Sequence, residues 1–463
     1  MLQDQYDVVV IGSGPAGEKA ALEAAALGAK TLIIERWGAP GGAGTLSGTL
    51  PSKSLRETVQ YVDSLTHDEI NGIASELGRP LTIKELMHRK NRVIDQRVDS
   101  IYRAYEGAGV TFISGAGKLV GTHQVAITPR PSHGPSQVTA KSIIIAVGTS
   151  PYHPPDIDFD HFRILDSDKI LNLEEMPKSL IVYGAGVIGS EYASIFAKLG
   201  CSVTIVEPRG KLMDFLDADL SVSVARAFMN HGVALKLGRH YKAIEGSADQ
   251  VLLRLENGEE VRGDYLLYAN GRQGQAEGMG LEAQGIELNH RKQLSVNENY
   301  QTKLPHIYAV GDIIGLPSLV SISNEEGRMA ARHAILGEPG HRITGHFPCA
   351  IYTIPEVSMM GPTEQELEAD GVDYVVGRAF FGELARGLIM GVHEGMIKLI
   401  FERSSRKLLA VHLFGEGASE LVHIGQAVMC FGGKLDYFTD EIFNFPSLAS
   451  GYKVAAHNAL QHF

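Results

Sequence analysis

Cysteine is scarce in this chain. Its 463 residues include three, Cys201, Cys349 and Cys430. They lie too far apart in sequence for a local metal pattern or a local redox pair, and such usage suits a reducing compartment. Long apolar runs are lacking too. No stretch approaches the roughly 18 residues of a membrane-crossing helix, so no membrane partner is expected. Positive charge is in deficit: 42 Lys and Arg stand against 54 Asp and Glu, a net charge of -12. That balance argues against a nucleic-acid partner and a basic membrane-binding face. The first residues reach Asp4 and Asp7 with no basic stretch leading into an apolar one. No signal peptide is expected, and a cytoplasmic location is.

What remains is a globular composition, 44% hydrophobic and 21% charged. The length exceeds one ordinary core and predicts two or three domains.

Residues 6–11, YDVVVI, read as a buried strand. Gly12, Ser13, Gly14, Pro15, Ala16 and Gly17 follow as G-x-G-x-x-G. A helical run over 15–27 and a second strand over 30–34 lead to Glu35 and Arg36. In such a unit the first glycine permits a tight turn. The second lets the backbone approach a pyrophosphate, and the third lets helix pack on strand. The helix N-terminus turns free N–H groups and a positive dipole end toward the phosphates. Glu35 can accept hydrogen bonds from a ribose diol.

The unit recurs. Residues 179–183 are the strand, and Gly184, Ala185, Gly186, Val187, Ile188 and Gly189 the turn. Residues 187–199 are the helix, and 202–206 the strand ending at Glu207. Glu35 follows Gly12 at the same interval as Glu207 follows Gly184. One glycine fingerprint is a weak signal; two at identical spacing predict two different dinucleotides on one chain. FAD and a nicotinamide nucleotide are the natural pair. Glu207 suits the 2′-hydroxyl of NAD(H) and opposes the 2′-phosphate of NADP(H). Arg209 and Lys211 follow closely and could serve that phosphate instead.

Elsewhere, residues 55–110 read as mostly helical, and 129–135 as a turn-rich excursion between short strands. Residues 265–272 read as a strand running into a turn at Gly271, and residues 307–310 as an apolar strand that delivers Gly311 and Asp312. Beyond about residue 345, strands at 396–401 and 408–414 alternate with a helix at 418–429.

Residues 41–55, GGAGTLSGTLPSKSL, resemble the active-site segment of the flavin-dependent pyridine nucleotide–disulfide oxidoreductases. The resemblance spans the whole chain. It is strongest to that group's soluble, FAD-dependent pyridine nucleotide transhydrogenases. GTLPSKSLR (48–56), GAGVIGSEYASIF (184–196), YAVGDIIGLPSL (308–319) and IYTIPEVS (351–358) carry it.

That likeness implies an α/β protein with two Rossmann-like domains and a C-terminal α+β dimerisation domain. FAD would take residues 1–149 and 273–344, NAD(P) residues 150–272, and a homodimer interface residues 345–463. It also implies FAD contacts at Gly41, Gly42, Gly44, Thr49, Gly117, Gly148, Gly311 and Asp312. Lys53 would lie near the reactive ring nitrogen of the flavin, with Glu191 as its partner. Val187 would stand where relatives gate the nicotinamide pocket, and Gly271 at the end of the NAD(P) domain.

The segment's usual pair of cysteines would stand where this chain has Gly44 and Thr49. The usual His and Glu that protonate a thiolate would stand at Phe445 and Ser450. Both halves of the thiol machinery are therefore missing, and disulfide reduction is not expected. The expected activity is FAD-mediated hydride transfer between NADPH or NADH and NAD+ or NADP+. An NADH-dependent reductase of a quinone or small acceptor would need the same residues plus an apolar acceptor pocket. A flavin- and NAD-binding sensor with little turnover is a third reading. No metal site is expected.

Overall fold

The computed structural model describes residues 4–67, 82–129, 136–343 and 347–463. Residues 1–3, 68–81, 130–135 and 344–346 lie outside it. Part of the helical region expected over 55–110, nearly all of the excursion at 129–135, and the domain boundary expected at 344/345 fall there. The chain divides into two units. Met1–Ser54, Met87–His153 and Gly271–Thr344 form the first; Leu55–Leu86, Pro154–Asn270 and Gly345–Phe463 form the second.

In the first unit the strand Gln5–Ile11 lies parallel between Thr31–Glu35 and Ser136–Ile145. Ile307–Ala309 continues the sheet in parallel beyond Ser136–Ile145. Side chains alternate between two apolar layers. Val9 and Ile11 join Leu32, Ile34, Ile143 and Ile145 on one face. Val8 and Val10 join Ile33 and Ile144 on the other. Both faces are covered, which is why these strands are continuous apolar runs in the sequence. Each such side chain contributes about 1.5–3 kcal/mol by burial. The helix Pro15–Ala26 turns Ala16, Ala20, Ala21 and Ala24 inward. That smooth face admits the helix Val320–Leu336 so closely that a Cβ on Gly327 would overlap the Ala16 carbonyl.

The helical region expected from residue 55 begins earlier, with a helix that spans Thr49–His67. Pro51 falls in its first turn, where no backbone N–H is needed. The Ser52 hydroxyl donates to the Gly48 carbonyl at 2.8 Å. Lys53 is therefore part of the helix and does not precede it.

The second unit holds a parallel five-stranded sheet. Its order is Ala234–Leu237, Ser202–Glu207, Ser179–Tyr183, Tyr265–Tyr268 and Ile164–Leu165. A three-stranded antiparallel sheet, Tyr241–Gly246, Val251–Leu255 and Glu260–Gly263, shares its core. A third, antiparallel sheet is built from Cys349–Ile351, Val357–Met360, Leu408–Gly415, Gly395–Glu402 and Tyr374–Phe380. The helices Ala418–Cys430 and Gly451–Leu460 contribute to its core.

Asp217 caps the helix Ala218–Asn230 and accepts a hydrogen bond from the buried Lys398 at 2.6 Å. The same ammonium reaches Asp219 at 2.9 Å and also pairs with Glu364. These three carboxylates stand close enough to hold a metal, but Lys398 already supplies their positive charge. Among the described residues no helix is long and apolar enough to cross a membrane.

Candidate functional site

The two glycine turns have nearly the same geometry. Gly12 has φ +99° and Gly184 φ +106°, in the left-handed region that favours glycine. Their N–H groups donate to the carbonyls of Ile34 and Val206, both at 2.8 Å, which fixes each turn to the neighbouring strand. A Cβ on Gly17 would overlap the Gly12 carbonyl, and one on Gly189 the Gly184 carbonyl. The protein itself therefore demands the first and third glycines.

The middle glycines are different. Gly14 has φ −64° and Gly186 φ −73°, conformations open to any residue. A Cβ on Gly14 would meet only the Gly42 Cα, at 3.9 Å, and one on Gly186 nothing within 4 Å. Neither strain nor packing asks for glycine here. Open space in front of a turn is what a pyrophosphate approaching the backbone needs. The helices that follow, Pro15–Ala26 and Val187–Lys198, have no side-chain cap. Their first N–H groups remain available to an anion. The residues fit two dinucleotides, one per unit.

Each turn is backed by a buried acid. One Glu35 oxygen accepts the Ser13 N–H at 2.9 Å and the Ser13 hydroxyl at 2.7 Å; the other accepts the Trp37 N–H at 2.8 Å. Arg36 lies over the Trp37 ring, 5.0 Å from its centroid. One Glu207 oxygen accepts the Ala185 N–H at 2.5 Å and an Arg209 guanidinium N–H at 3.3 Å. The other accepts the Arg209 backbone N–H at 2.9 Å and its Nε–H at 2.8 Å. Burial pushes the Glu207 carboxyl up, but the hydrogen bonds from Arg209 and Ala185 outweigh it and hold the group below the usual range.

The segment resembling a disulfide site docks on the first turn. Gly41, at φ +116°, donates its N–H to the Ser13 carbonyl at 2.9 Å. Gly42 presses on Gly14 so closely that a Cβ would stand 2.6 Å from its Cα. Gly44 lies in the short helix Gly42–Leu46, and Thr49 opens the next helix. Lys53 donates to the Ser52 hydroxyl at 3.4 Å. Gly117 packs on Ile11, which would meet a Cβ at 3.1 Å. Gly148, at φ +64°, has open space at its Cβ position.

Asp312 sits in the turn Gly311–Ile314, and the Thr149 hydroxyl donates to it at 3.4 Å. Burial raises its carboxyl, and Arg272 works in the opposite direction. Arg272 in turn holds the Thr149 hydroxyl and carbonyl, both at 2.8 Å. Buried Glu326 accepts the Gly311 N–H at 2.8 Å and so fixes the turn that carries Asp312. Sequence reasoning missed Thr149, Arg272 and Glu326. For Glu326 a signal existed: an acid among Ser323, Gly327 and Ala330 on the buried helix face.

In the second unit, Val187 and Ile188 open the helix half-buried. Glu191, buried on that helix, accepts the Tyr352 N–H at 2.9 Å. The Ser194 hydroxyl accepts the Ile354 N–H at 3.1 Å. Sequence reasoning assigned Glu191 to Lys53 by resemblance; this backbone partner was not foreseen. Lys53 itself belongs to the first unit. Gly271, at φ +115°, accepts the Tyr152 N–H at 3.0 Å through its carbonyl. Phe445 is 75% exposed, and the Ser450 hydroxyl donates to the Ser447 carbonyl at 2.6 Å. Cys201 is buried, Cys349 half-buried and Cys430 exposed, all with free thiols.

Two uncapped glycine turns, each backed by a buried acid, together with an antiparallel C-terminal sheet define a flavin- and nicotinamide-nucleotide-dependent oxidoreductase. The chain belongs to the pyridine nucleotide-disulphide oxidoreductase family: residues 6–327 match its model and residues 347–456 that of its dimerisation domain. It is 42% identical to the soluble pyridine nucleotide transhydrogenase of Pectobacterium atrosepticum over 461 residues, 99% of this chain and 98% of the relative. It is 42% identical to the same-named protein of Salmonella gallinarum over 458 residues, 98% of each. Among solved structures, the HOCl-induced flavoprotein disulfide reductase RclA of Escherichia coli superposes with a TM-score of 0.87. That comparison is at 26% identity and covers 98% of this chain and 99% of that one. LpdA of Mycobacterium tuberculosis gives 0.88 at 27% identity, covering 97% and 99%.

Proposed function

We propose that this chain is an FAD-dependent pyridine nucleotide transhydrogenase that works without a thiol. The observation that carries this is the doubled turn with open space at Gly14 and Gly186, on a chain whose thiol positions are Gly44 and Thr49. In the net reaction, NADPH and NAD+ give NADP+ and NADH, or the reverse. One hydride moves, so atoms and electrons balance without a nucleophile or a released proton.

FAD, when bound, supplies a ring that accepts a hydride and gives it back. The protein's task is to hold and orient. The turn 12–17 would take the FAD pyrophosphate and Asp312 its ribityl hydroxyls, with Glu326 and Thr149 holding Asp312 in place. The turn 184–189 would take the pyrophosphate of each nicotinamide nucleotide in succession. Lys53 would present positive charge to the reduced ring, and Glu191 is held on its own helix by the Tyr352 N–H. Rate then comes from proximity and fixed electrostatics.

The chain would act as a cytoplasmic homodimer. Phe431, Ile442 and Phe445, 92%, 95% and 75% exposed, lie in the region matching a dimerisation domain and would be covered in that assembly.

The test is turnover of purified, FAD-loaded protein with NADPH and thio-NAD+, whose reduced form absorbs apart from NADPH. Sustained formation of reduced thio-NAD supports the reading. Flavin that bleaches and stays reduced, with no acceptor turnover, rejects it.

A further inference from the structure

Lys53 opens a polar stripe on the helix Thr49–His67. Arg56, Gln60 and Asp63 follow it at intervals of three, four and three, the spacing that sets side chains on one helix face. Such a stripe does not belong to an apolar core, and each of its three later members is tied down. Arg56 is 2% exposed. Its Nε–H donates to the Thr353 carbonyl at 3.2 Å, and a second guanidinium nitrogen pairs with Glu356 at 2.8 Å. Gln60 donates to Glu416 at 2.5 Å, and Asp63 pairs with Lys198 at 2.9 Å.

The partners of Arg56 are themselves fixed. The other Glu356 oxygen accepts the Ser419 N–H at 3.0 Å, in the first turn of the helix Ala418–Cys430. That puts the carboxylate at a helix N-terminus, where the dipole favours it. The Thr353 hydroxyl donates to the Pro355 carbonyl at 2.6 Å. Both partners belong to the segment 352–356, whose Tyr352 and Ile354 N–H groups hold Glu191 and the Ser194 hydroxyl. Those two residues lie on the helix Val187–Lys198. The helix of Arg56 and the helix of Glu191 are therefore tied twice, once through 352–356 and once directly by Asp63 and Lys198.

A buried ion pair adds little stability over apolar residues of like volume. A planar guanidinium with partners on two nitrogens does supply orientation, because it cannot turn without losing one of them. We infer that Arg56 is a positioning residue for the flavin chemistry: held by Thr353 and Glu356, it sets the rotation of the helix Thr49–His67 and with it the direction of Lys53, one turn earlier. The inference rests on the proposed role of Lys53, which is to present positive charge to the reduced ring. That charge acts only while its aim holds, since attraction falls with distance and with access to water. Lysine at position 56 keeps the charge of Arg56 but, with a single nitrogen, loses the fork.

The test is the two-electron midpoint potential of the bound FAD, measured without any nicotinamide nucleotide by anaerobic reduction against a reference dye. Lys53→Met should weaken stabilisation of the reduced flavin about tenfold or more, which lowers the potential by about 30 mV. Arg56→Lys should weaken it about threefold or more, although net charge is unchanged. Arg56→Gln, a shorter side chain, should shift the potential the same way. On a Lys53→Met background, Arg56→Lys should add nothing, because the residue through which it acts is gone. A merely structural role of Arg56 would not depend on Lys53 in this way. An unchanged potential in Arg56→Lys, an equal shift with and without Lys53, or loss of flavin from both Arg56 variants would overturn the inference, while the role of Lys53 stands on its own variant. An unchanged potential in Lys53→Met would overturn that role, and the inference with it.

Discussion

Gly44 faces Pro15: a Cβ at position 44 would stand 2.8 Å from the proline Cγ. The position at which the resemblance would place a thiol is thus pressed against the first dinucleotide turn. Gly44→Ala should destabilise the protein by about 1–3 kcal/mol, the usual cost of overpacking a tight contact. Chemical denaturation checks it. An unchanged midpoint would mean that the segment 41–49 shifts freely on the turn.

Gly186 and Gly189 should separate ligand space from packing. Gly189→Ala drives a Cβ into the Gly184 carbonyl and should unfold or severely destabilise the second unit. Gly186→Ala meets nothing within 4 Å at an ordinary φ. It should leave ligand-free stability within about 0.5 kcal/mol of wild type. Its NADH affinity should fall about tenfold or more as the methyl enters the pyrophosphate space. Melting curves and NADH titrations, run on both variants, decide the matter. Loss of stability without loss of affinity in Gly186→Ala would remove the main support for a phosphate site there.

Lys398 is the centre of a buried ion network with Asp217, Asp219 and Glu364, and Arg378 pairs with Asp219 and Glu364. Lys398→Met should cost about 3–5 kcal/mol, because it removes the ammonium that pairs with the fully buried Asp217. Burial pushes the Asp217 carboxyl up, but His412, 3.5 Å away, and Lys398 more than reverse this and hold it well below the usual carboxylate range. The unfolded chain therefore takes up a proton where the folded chain resists. Stability from this group is present above the ordinary carboxylate pKa and is lost as pH falls below it. Denaturation midpoints between about pH 5 and pH 2 should fall steeply for wild type and less steeply for Asp217→Asn. Parallel curves would contradict the assignment.

The three cysteines should be dispensable. Burial pushes the Cys201 thiol up to about 12 and raises that of Cys349, so neither forms thiolate readily. Maleimide should label Cys430 first, and labelling there should leave hydride transfer unchanged. Inactivation in step with Cys430 labelling would restore a thiol to the mechanism.

Much of this architecture was legible in the sequence. Double-sided burial forces continuous apolar strands, and the repeated glycine spacing marks both turns. The C-terminal strands expected at 396–401 and 408–414 were found as Gly395–Glu402 and Leu408–Gly415, because their apolar runs have nowhere else to go. Other features had no local signature. The helix start at Thr49 depends on Pro51 being harmless in a first turn. Glu326 reaches Gly311 from another element, and Lys398 reaches Asp217 across 181 positions. The Arg209–Glu207 pair spans only two positions, yet sequence alone left open whether the acid or the arginine faces the nucleotide.

The most direct test of the central claim is a sequential stopped-flow experiment on FAD-loaded protein. The flavin is reduced anaerobically with NADPH or with NADH, and each sample is then mixed with the oxidised nucleotide of the other phosphorylation state. Transhydrogenase action predicts fast bleaching by both donors and fast return of the oxidised spectrum with both acceptors. Bleaching by NADH alone, with the flavin held reduced until a quinone is added, would contradict it.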